Sequence, residues 1–282
     1  MDATLQIKDL CKSYSDFALD HVSFTLPQGC IMGFIGENGA GKSTTIKAIL
    51  NLIRRDQGEI LVFGKDNIQD ELEIKERIGV VFDSMNLPDL LRIQEIKKMM
   101  PSLYRNWDAA EFAQYVDRFE LPGKKIVKDF SRGMKMKLAI AVALSHHAQL
   151  LLLDEATSGL DPIVRDELLD LLPEYIQDPA NSILFSSHIT GDLEKIADYI
   201  TFIHKGTIRF SERKDLLLEK YAVLKGSDSQ LRQLDPAAVK GVRHNQFGIE
   251  ALVERDKVPA SWITDPASIE DLMVLIAKGE QQ

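Results

Sequence analysis

The clearest chemical potential lies in Gly36-Glu-Asn-Gly-Ala-Gly41-Lys42-Ser43, which satisfies the pattern G-x-x-x-x-G-K-[ST]. Gly36, Gly39 and Gly41 carry no Cβ, so backbone N–H groups can turn inward and surround a phosphate. Residues 30–35 read as a short apolar strand entering this turn, and residues 42–53 as a helix with Ile46, Ile49, Leu50 and Ile53 on one face. The positive N-terminus of that helix faces the same anion. Lys42 is placed to neutralise β/γ-phosphate charge, and the Ser43 hydroxyl to ligate Mg²⁺. Asn38, Gly39, Ala40, Gly41 and Thr44 complete the candidate nucleotide contacts. A glycine-rich turn entering an ordinary helix is the alternative. The four fixed positions match by chance about once in a hundred such chains, and the flanking strand and helix lower that further.

Leu150-Leu-Leu-Leu153-Asp154-Glu155 is an apolar run ending in two carboxylates. A buried parallel strand delivers its last residues to the sheet edge where ligands bind. There Asp154 can hold Mg²⁺ and Glu155 can orient or deprotonate an attacking water. Taken alone, the run is as readily a core strand followed by a polar turn. Beside a phosphate loop, the catalytic reading gains weight, and the two motifs together indicate hydrolysis of ATP or GTP.

The elements that must position these groups alternate. Strands are expected at 4–7, 21–26, 59–62, 78–82, 150–153, 183–185 and 199–203, and helices at 131–145, 167–172 and 191–197. Such alternation predicts a mainly parallel sheet covered on both faces. Residues 83–145 have a helical texture, with Asp108 and Glu111 at capping spacing, and read as an insertion between strands. Beyond about residue 221, strands at 222–224 and 247–253 and a terminal helix over 266–277, with Ser268 and Asp271 at capping spacing, suggest a small accessory unit.

With 282 residues, 45% of them hydrophobic and 27% charged, the chain has the composition of a folded globular protein. A net charge of −9 opposes a broad nucleic-acid-binding face, so no nucleic-acid partner is expected. The two cysteines, Cys11 and Cys30, form no disulfide framework, and the amino-terminal residues lack the basic start and apolar stretch of a signal peptide. No apolar run approaches the roughly 18 residues that span a bilayer. A cytoplasmic location is expected.

A third motif narrows the choice. Phe130-Ser131-Arg132-Gly133-Met134 opens the helix that precedes the acidic strand, and it resembles the ABC signature, Leu-Ser-Gly-Gly-Gln in most members. Ser158-Gly-Leu-Asp161 resembles the D-loop of that family, and His188 its switch histidine. The resemblance runs in order from about residue 3 to 215 and identifies the chain as a member of the ABC ATPase family. It implies a P-loop NTPase (RecA-like) core over residues 1–220, mainly a parallel sheet, with an antiparallel β subdomain and a helical subdomain at about 84–145. A small C-terminal α/β accessory region would occupy 221–282. ATP and Mg²⁺ are the implied ligands, with Glu155, His188 and Lys42 catalytic, and Ser43, Asp83 and Asp154 at the metal. Tyr14 stands where an aromatic stacks on adenine, with an ordinary turn tyrosine as the alternative. Two copies would associate head to tail, Ser131 and Gly133 of one meeting the γ-phosphate held by the other, and His188 bridging Glu155 and the opposing Asp161.

Three positions depart from the family pattern. Asp83 replaces the usual Gln, Arg132 and Met134 replace Gly and Gln of the signature, and Ala156 replaces Pro. Asp83 can still offer an oxygen to the metal while adding negative charge, or it is simply a strand-end residue. Arg132 brings a cation towards the opposing triphosphate, or is a solvated helix-start side chain. Ala156 points towards export. The resemblance implies a cytosolic motor, homodimeric in the family's manner, bound to the inner face of the membrane through a separate permease. Bacterial exporters of peptides, antibiotics or phenol-soluble modulins are the nearest in pattern. The alternatives are an ABC ATPase acting on ribosomes or DNA, or a regulatory protein with weakened catalysis. The chain lacks the paired cassettes of the former and keeps Lys42, Ser43, Asp154, Glu155 and His188 against the latter.

Overall fold

The computed structural model describes residues 2–83, 87–246 and 248–279; Met1, positions 84–86 of the expected helical insertion, Phe247 of an expected strand and residues 280–282 lie outside them. The chain runs through β1 (Ala3–Ser13), β2 (Ala18–Pro27), β3 (Ile31–Ile35), α1 (Lys42–Ile49), β4 (Gln57–Val62) and β5 (Lys65–Asp66). After α2 (Glu71–Lys75) and β6 (Ile78–Val81) come α3 (Ile93–Met99), α4 (Ala109–Arg118), α5 (Arg132–Leu144) and β7 (Leu150–Asp154). Next are α6 (Pro162–Tyr175), β8 (Ser182–Ser187), α7 (Thr190–Ile196), β9 (Tyr199–His204), β10 (Thr207–Arg213) and α8 (Lys214–Lys220). The remainder forms β11 (Tyr221–Gly226), α9 (Asp228–Leu231), β12 (Val239–Asn245), β13 (Gly248–Glu254), β14 (Thr264–Pro266) and α10 (Ile269–Gly279).

The central sheet has the order β10-β9-β3-β8-β7-β6, parallel throughout except for β10 on one edge. Every residue of β3, β7 and β8 is buried, which is why β3 and most of β7 read as continuous apolar runs, while β8 places Ile183, Leu184 and Phe185 between buried serines. Their side chains nevertheless alternate between faces. Met32 and Phe34 pack with Ile46 and Ile49 of α1 and with Leu5 and Ile7 of the antiparallel sheet β2-β1-β4-β5. Ile31 and Ile35 face the opposite side, in the core built by α5, α6 and α7. The helices α3 to α5 intervene in sequence between β6 and β7, which are neighbours in the sheet.

Several boundaries differ from expectation for local reasons. α1 stops at Ile49 because Leu50 caps it and Asn51 enters the left-handed region at φ +53°. Ile53 still packs against the core, but from the following turn. Asp108 caps α4 by accepting from the Ala110 and Glu111 N–H groups at 2.7 and 2.9 Å. Glu111 does not return the bond to complete a capping box; its carboxylate lies 3.5 Å from His147 Nδ1. The last helix starts at Ile269 rather than Pro266, since Pro266 pairs with Ala222 in the sheet β12-β13-β11-β14. Ser268 and Asp271 there exchange the reciprocal bonds of a capping box, each N–H donating to the other's side chain at 3.0 Å. Val223, Leu252, Ile269 and Leu272 join the same core as Leu193 and Ile200, so this carboxy-terminal sheet and helix pack directly on the main body.

One buried histidine ties the insertion to the sheet. His146, just after α5, has its two ring nitrogens 3.2 Å from Val142 O and 3.0 Å from Ile78 O, and its ring stacks on Tyr104. Burial pushes its pKa below the ordinary histidine value. The folded state therefore favours neutral His146, and its contribution to stability is complete above the unfolded pKa of about 6.5 and declines as pH falls below it. The melting temperature should drop more steeply between pH 7 and 5 for the wild type than for His146→Gln. Equal slopes would remove His146 from the acid sensitivity.

Candidate nucleotide site

The sheet order decides which loops meet. β8 lies between β3 and β7, so the segments leaving the carboxyl ends of β3, β8, β7 and β6 stand side by side along one edge. Those segments carry, in order, the glycine-rich loop, His188, Asp154 with Glu155, and Asp83. Ligands of open parallel sheets bind at this edge.

The loop leaving β3 keeps its shape because three positions admit no side chain. A Cβ on Gly36 would lie 2.5 Å from the Ile203 carbonyl oxygen. One on Gly41, which has φ +116°, would lie 2.6 Å from Leu19 Cδ2 and 2.9 Å from Phe17 Cζ. Gly39 differs: it has φ +81° but nothing stands within 4 Å of a Cβ there, so its requirement for glycine comes from the backbone angle. Glu37, Asn38 and Gly39 are exposed, whereas Ala40 is buried under the loop. Gly41 is the N-cap of α1, and Thr45 anchors that turn by donating its hydroxyl to Gly41 O at 2.9 Å. Ser43 and Thr44 are half-buried on the first turn.

Lys42 is 5% exposed and reaches back over the loop, donating to Gly36 O at 2.7 Å and Glu37 O at 3.2 Å. Its ammonium is also 3.1 Å from Glu155 Oε1. The other carboxylate oxygen, Oε2, lies 2.6 Å from His188 Nδ1. Glu155 is thus held between a cation and an imidazole. Its own backbone adopts φ +53°, a left-handed conformation costing about 1–2 kcal/mol for a residue with a Cβ. Glu155 N donates to Ser186 O and Ser158 N donates to Glu155 O, both at 3.0 Å, fixing the turn on either side. Backbone strain retained at one residue in this way is characteristic of functional sites. Asp154, 4% exposed, accepts from the Ser186 hydroxyl at 2.6 Å.

These contacts bring Lys42, Asp154, Glu155 and His188 together. Among the described residues, the other candidates make no hydrogen bond or ion pair with that group. Ser131 caps α5 through Met134 N at 3.2 Å, and Asp161 caps α6 through Val164 N at 3.1 Å. The two caps are neighbours, since Gly133 backs onto Val164 and Arg132 lies over Gly159, where a Cβ would meet Nη1 at 2.8 Å. Arg132 therefore reaches the 158–161 loop of its own chain. It also lines, with Asp83, Asp89 and Lys135, a cavity of about 400 Å³. Asp83 is exposed at the rim of that cavity. Tyr14 is 49% exposed, and Lys12 Nζ stands 5.5 Å above its ring. Phe17, which the sequence did not single out, lies closer to the glycine loop through its contact with the Gly41 position. Other residues missed in the sequence are Ser186, Thr157, Arg165 and Asp192, whose side chains bond to one another or to Asp154 behind the site. Only the polar residues of an otherwise apolar strand, Ser186 and Ser187, could have signalled any of them.

Known proteins resemble this chain in sequence and in fold. The sequence family described as ABC transporter matches residues 19–158. The bacitracin transport ATP-binding protein BcrA of Bacillus licheniformis is 36% identical over 212 residues, covering 74% of this chain and 69% of the relative. The lantibiotic transport ATP-binding protein SrtF of Streptococcus pyogenes is 33% identical over 214 residues, covering 75% of this chain and 91% of the relative. Among solved structures, an ATP-binding subunit of an ABC transporter superposes with a TM-score of 0.68 at 28% identity, covering 75% of this chain and 90% of that one. A dimeric ATP-binding cassette with ADP and Pi shares the fold, with a TM-score of 0.66 at 22% identity over 74% of this chain and 98% of its own.

Proposed function

This chain belongs to the family of ABC transporter ATP-binding subunits, and from that premise we propose that it hydrolyses ATP to drive a membrane exporter. The observation that carries the proposal is the pairing of Glu155 with Lys42 on one oxygen and with His188 on the other. A carboxylate oriented by two groups beside a phosphate loop is the arrangement expected of a base acting on water. In this reading the loop amides around Gly39 and Gly41 hold the β-phosphate, with Asn38, Ala40 and Thr44 lining the same cradle, and Lys42 exchanges its carbonyl partners for phosphate oxygens. Tyr14 and Phe17 flank the adenine side. Glu155 takes a proton from water as its oxygen attacks the γ-phosphorus, and the bond to the ADP oxygen breaks. His188 keeps the carboxylate turned towards that water.

Ser43, Asp154 and Asp83 offer only oxygen donors, a set that suits a hard divalent cation such as Mg²⁺. Those three residues would hold the ion, and when bound it would supply positive charge against the negative charge of the triphosphate. Ser131, Gly133 and Asp161 stand on α5 and α6, away from the phosphate loop of their own chain, which supports a site completed by a second copy. The arrangement of Arg132 over Gly159 supports a cation that firms the 158–161 loop at that interface. We assign residues 1–220 to the ATPase unit and 221–282 to an accessory unit.

No helix among the described residues is long and apolar enough to cross a membrane; the partner in this reading is a separate membrane-spanning permease, as the family membership implies. The place for it to dock is an open groove of about 410 Å³ between the sheet and the helical insertion, lined by Leu52, Leu72, Phe82, Leu103 and Tyr104. Leu72 is 85% exposed and Leu103 58%, unusual for leucines of a folded chain. The two relatives above are, by name, a bacitracin and a lantibiotic transport ATP-binding protein, and an amphiphilic peptide is the cargo class proposed here. Tagged protein purified from native membranes in mild detergent with ATP should bring down a multi-span membrane protein in stoichiometric yield. Leu72→Asp combined with Leu103→Asp should abolish that recovery and leave the ATPase rate of the isolated protein within about two-fold of wild type. Recovery of ribosomes instead, with nothing from the membrane, would overturn the transport assignment.

A further inference from the structure

The carboxylate of Asp192 is buried, 2% exposed, in the first turn of α7. One oxygen accepts from the Thr157 hydroxyl at 2.7 Å and the other from Arg165 Nε at 2.5 Å, with the Arg165 guanidinium completing an ion pair. Its partners belong to different parts of the site. Thr157 follows Glu155 in the turn leaving β7, and Arg165 sits one turn beyond Asp161 in α6, where its N–H donates to Asp161 O at 3.0 Å. Asp192 itself stands four residues after His188, in the helix that the His188 segment enters. One buried carboxylate thus joins the three segments that carry Glu155, Asp161 and His188. A buried charge is retained at a cost in desolvation that apolar packing would avoid, so stability alone does not account for it.

We propose that Asp192 is a positioning residue for ATP hydrolysis, holding Thr157 and Arg165 against α7 so that Glu155, Asp161 and His188 keep one mutual geometry. The inference rests on the assignment of Glu155 and His188 made above. The Asp192 carboxylate bonds to Thr157 and Arg165; it acts through the turn that keeps Glu155 in its left-handed conformation. The rest of α7 is anchored independently. Leu193 lies in the main core, and Glu194 accepts from Ile269 N at the start of α10 at 2.6 Å. Loss of the Asp192 contacts should therefore loosen the link between segments without unfolding the helix.

The test uses the full chain and compares Asp192→Asn, Asp192→Glu and wild type in steady-state ATP hydrolysis, nucleotide binding and thermal melting. For Asp192→Asn we expect kcat to fall about 10- to 100-fold, since small misplacements of reacting groups have effects of that size. KM for ATP and the affinity for a fluorescent ATP analogue should stay within about two-fold of wild type. Asp192→Glu, which keeps the charge, should recover part of kcat, and Thr157→Val or Arg165→Gln should reproduce the loss without adding to it in the double variant with Asp192→Asn. Unchanged kcat in Asp192→Asn would overturn the proposal. So would a loss of kcat accompanied by an equal loss of nucleotide affinity, or one that vanishes when rates are corrected for the folded fraction. Wild-type turnover in Glu155→Gln would instead bring down the assignment of the base, leaving the two failures separate.

Discussion

Glu155→Gln is expected to bind ATP as tightly as wild type or tighter and to lose turnover by about 10²- to 10⁴-fold, the range for removing a positioned general base. The amide is nearly isosteric, so the turn around residue 155 should persist, with its backbone still held by Ser186 O and Ser158 N. What disappears is the second carboxylate oxygen and the charge. A neutral amide cannot take the proton of an attacking water, and it no longer pairs with the Lys42 ammonium. Lys42 then meets the triphosphate without a competing anion, which favours the bound state. The measurement is a pair of numbers: steady-state phosphate release, and the fraction of dimer on size exclusion with ATP. We expect release near background and dimer enriched over wild type. Turnover at the wild-type rate would sink the assignment of the base, and a failure to bind ATP would show that the side chain holds nucleotide rather than activates water.

The parts of this site legible in the sequence are those where one segment alone dictates the geometry. The glycines at 36 and 41 are required by close approaches of Ile203 O and Leu19, and the sequence pattern records that requirement without naming the neighbours. Strands β3 and β7 declared themselves because burial on both faces leaves a nearly unbroken apolar run, and β8 through its apolar centre Ile183-Leu-Phe185. β10 did not: it is an edge strand, largely exposed, and its sequence Thr-Ile-Arg-Phe-Ser-Glu-Arg reads as a surface segment. β12, interrupted by Gly241, escaped for a similar reason, since Gly241 is needed where the chain passes Leu275 O rather than for strand formation. Asp192, Thr157 and Arg165 were illegible because nothing in their spacing places them together; only the order β3-β8-β7 brings the turn after β7 beside the helix after β8. Arg132 shows the converse. The sequence marked it as a departure with two readings, a cation towards an opposing triphosphate or a solvated helix-start side chain; its exposed guanidinium lies over the 158–161 loop of the same chain, a neighbour that neither reading named.

Lys42→Ala is expected to weaken ATP binding about 10- to 100-fold, the equivalent of losing a charge-assisted hydrogen bond worth roughly 1.5–3 kcal/mol. Lys42 is nearly enclosed, so its charge meets a phosphate with little intervening water. The loop glycines keep their conformations through contacts that do not involve its side chain, and residual binding by backbone amides should remain. Interpretation is complicated by Glu155, whose Oε1 pairs with Lys42 at 3.1 Å. Removing the ammonium leaves that carboxylate facing the triphosphate, and repulsion alone could weaken binding. The double variant Lys42→Ala with Glu155→Gln separates the two causes. If Lys42 binds phosphate directly, the double variant should remain well below Glu155→Gln in affinity, because the missing contact is absent in both lysine variants. Were affinity to return to the Glu155→Gln level, the lysine would serve chiefly to neutralise Glu155, and the phosphate would be held by the loop amides and the metal. Affinity unchanged in the single variant would remove Lys42 from the nucleotide site.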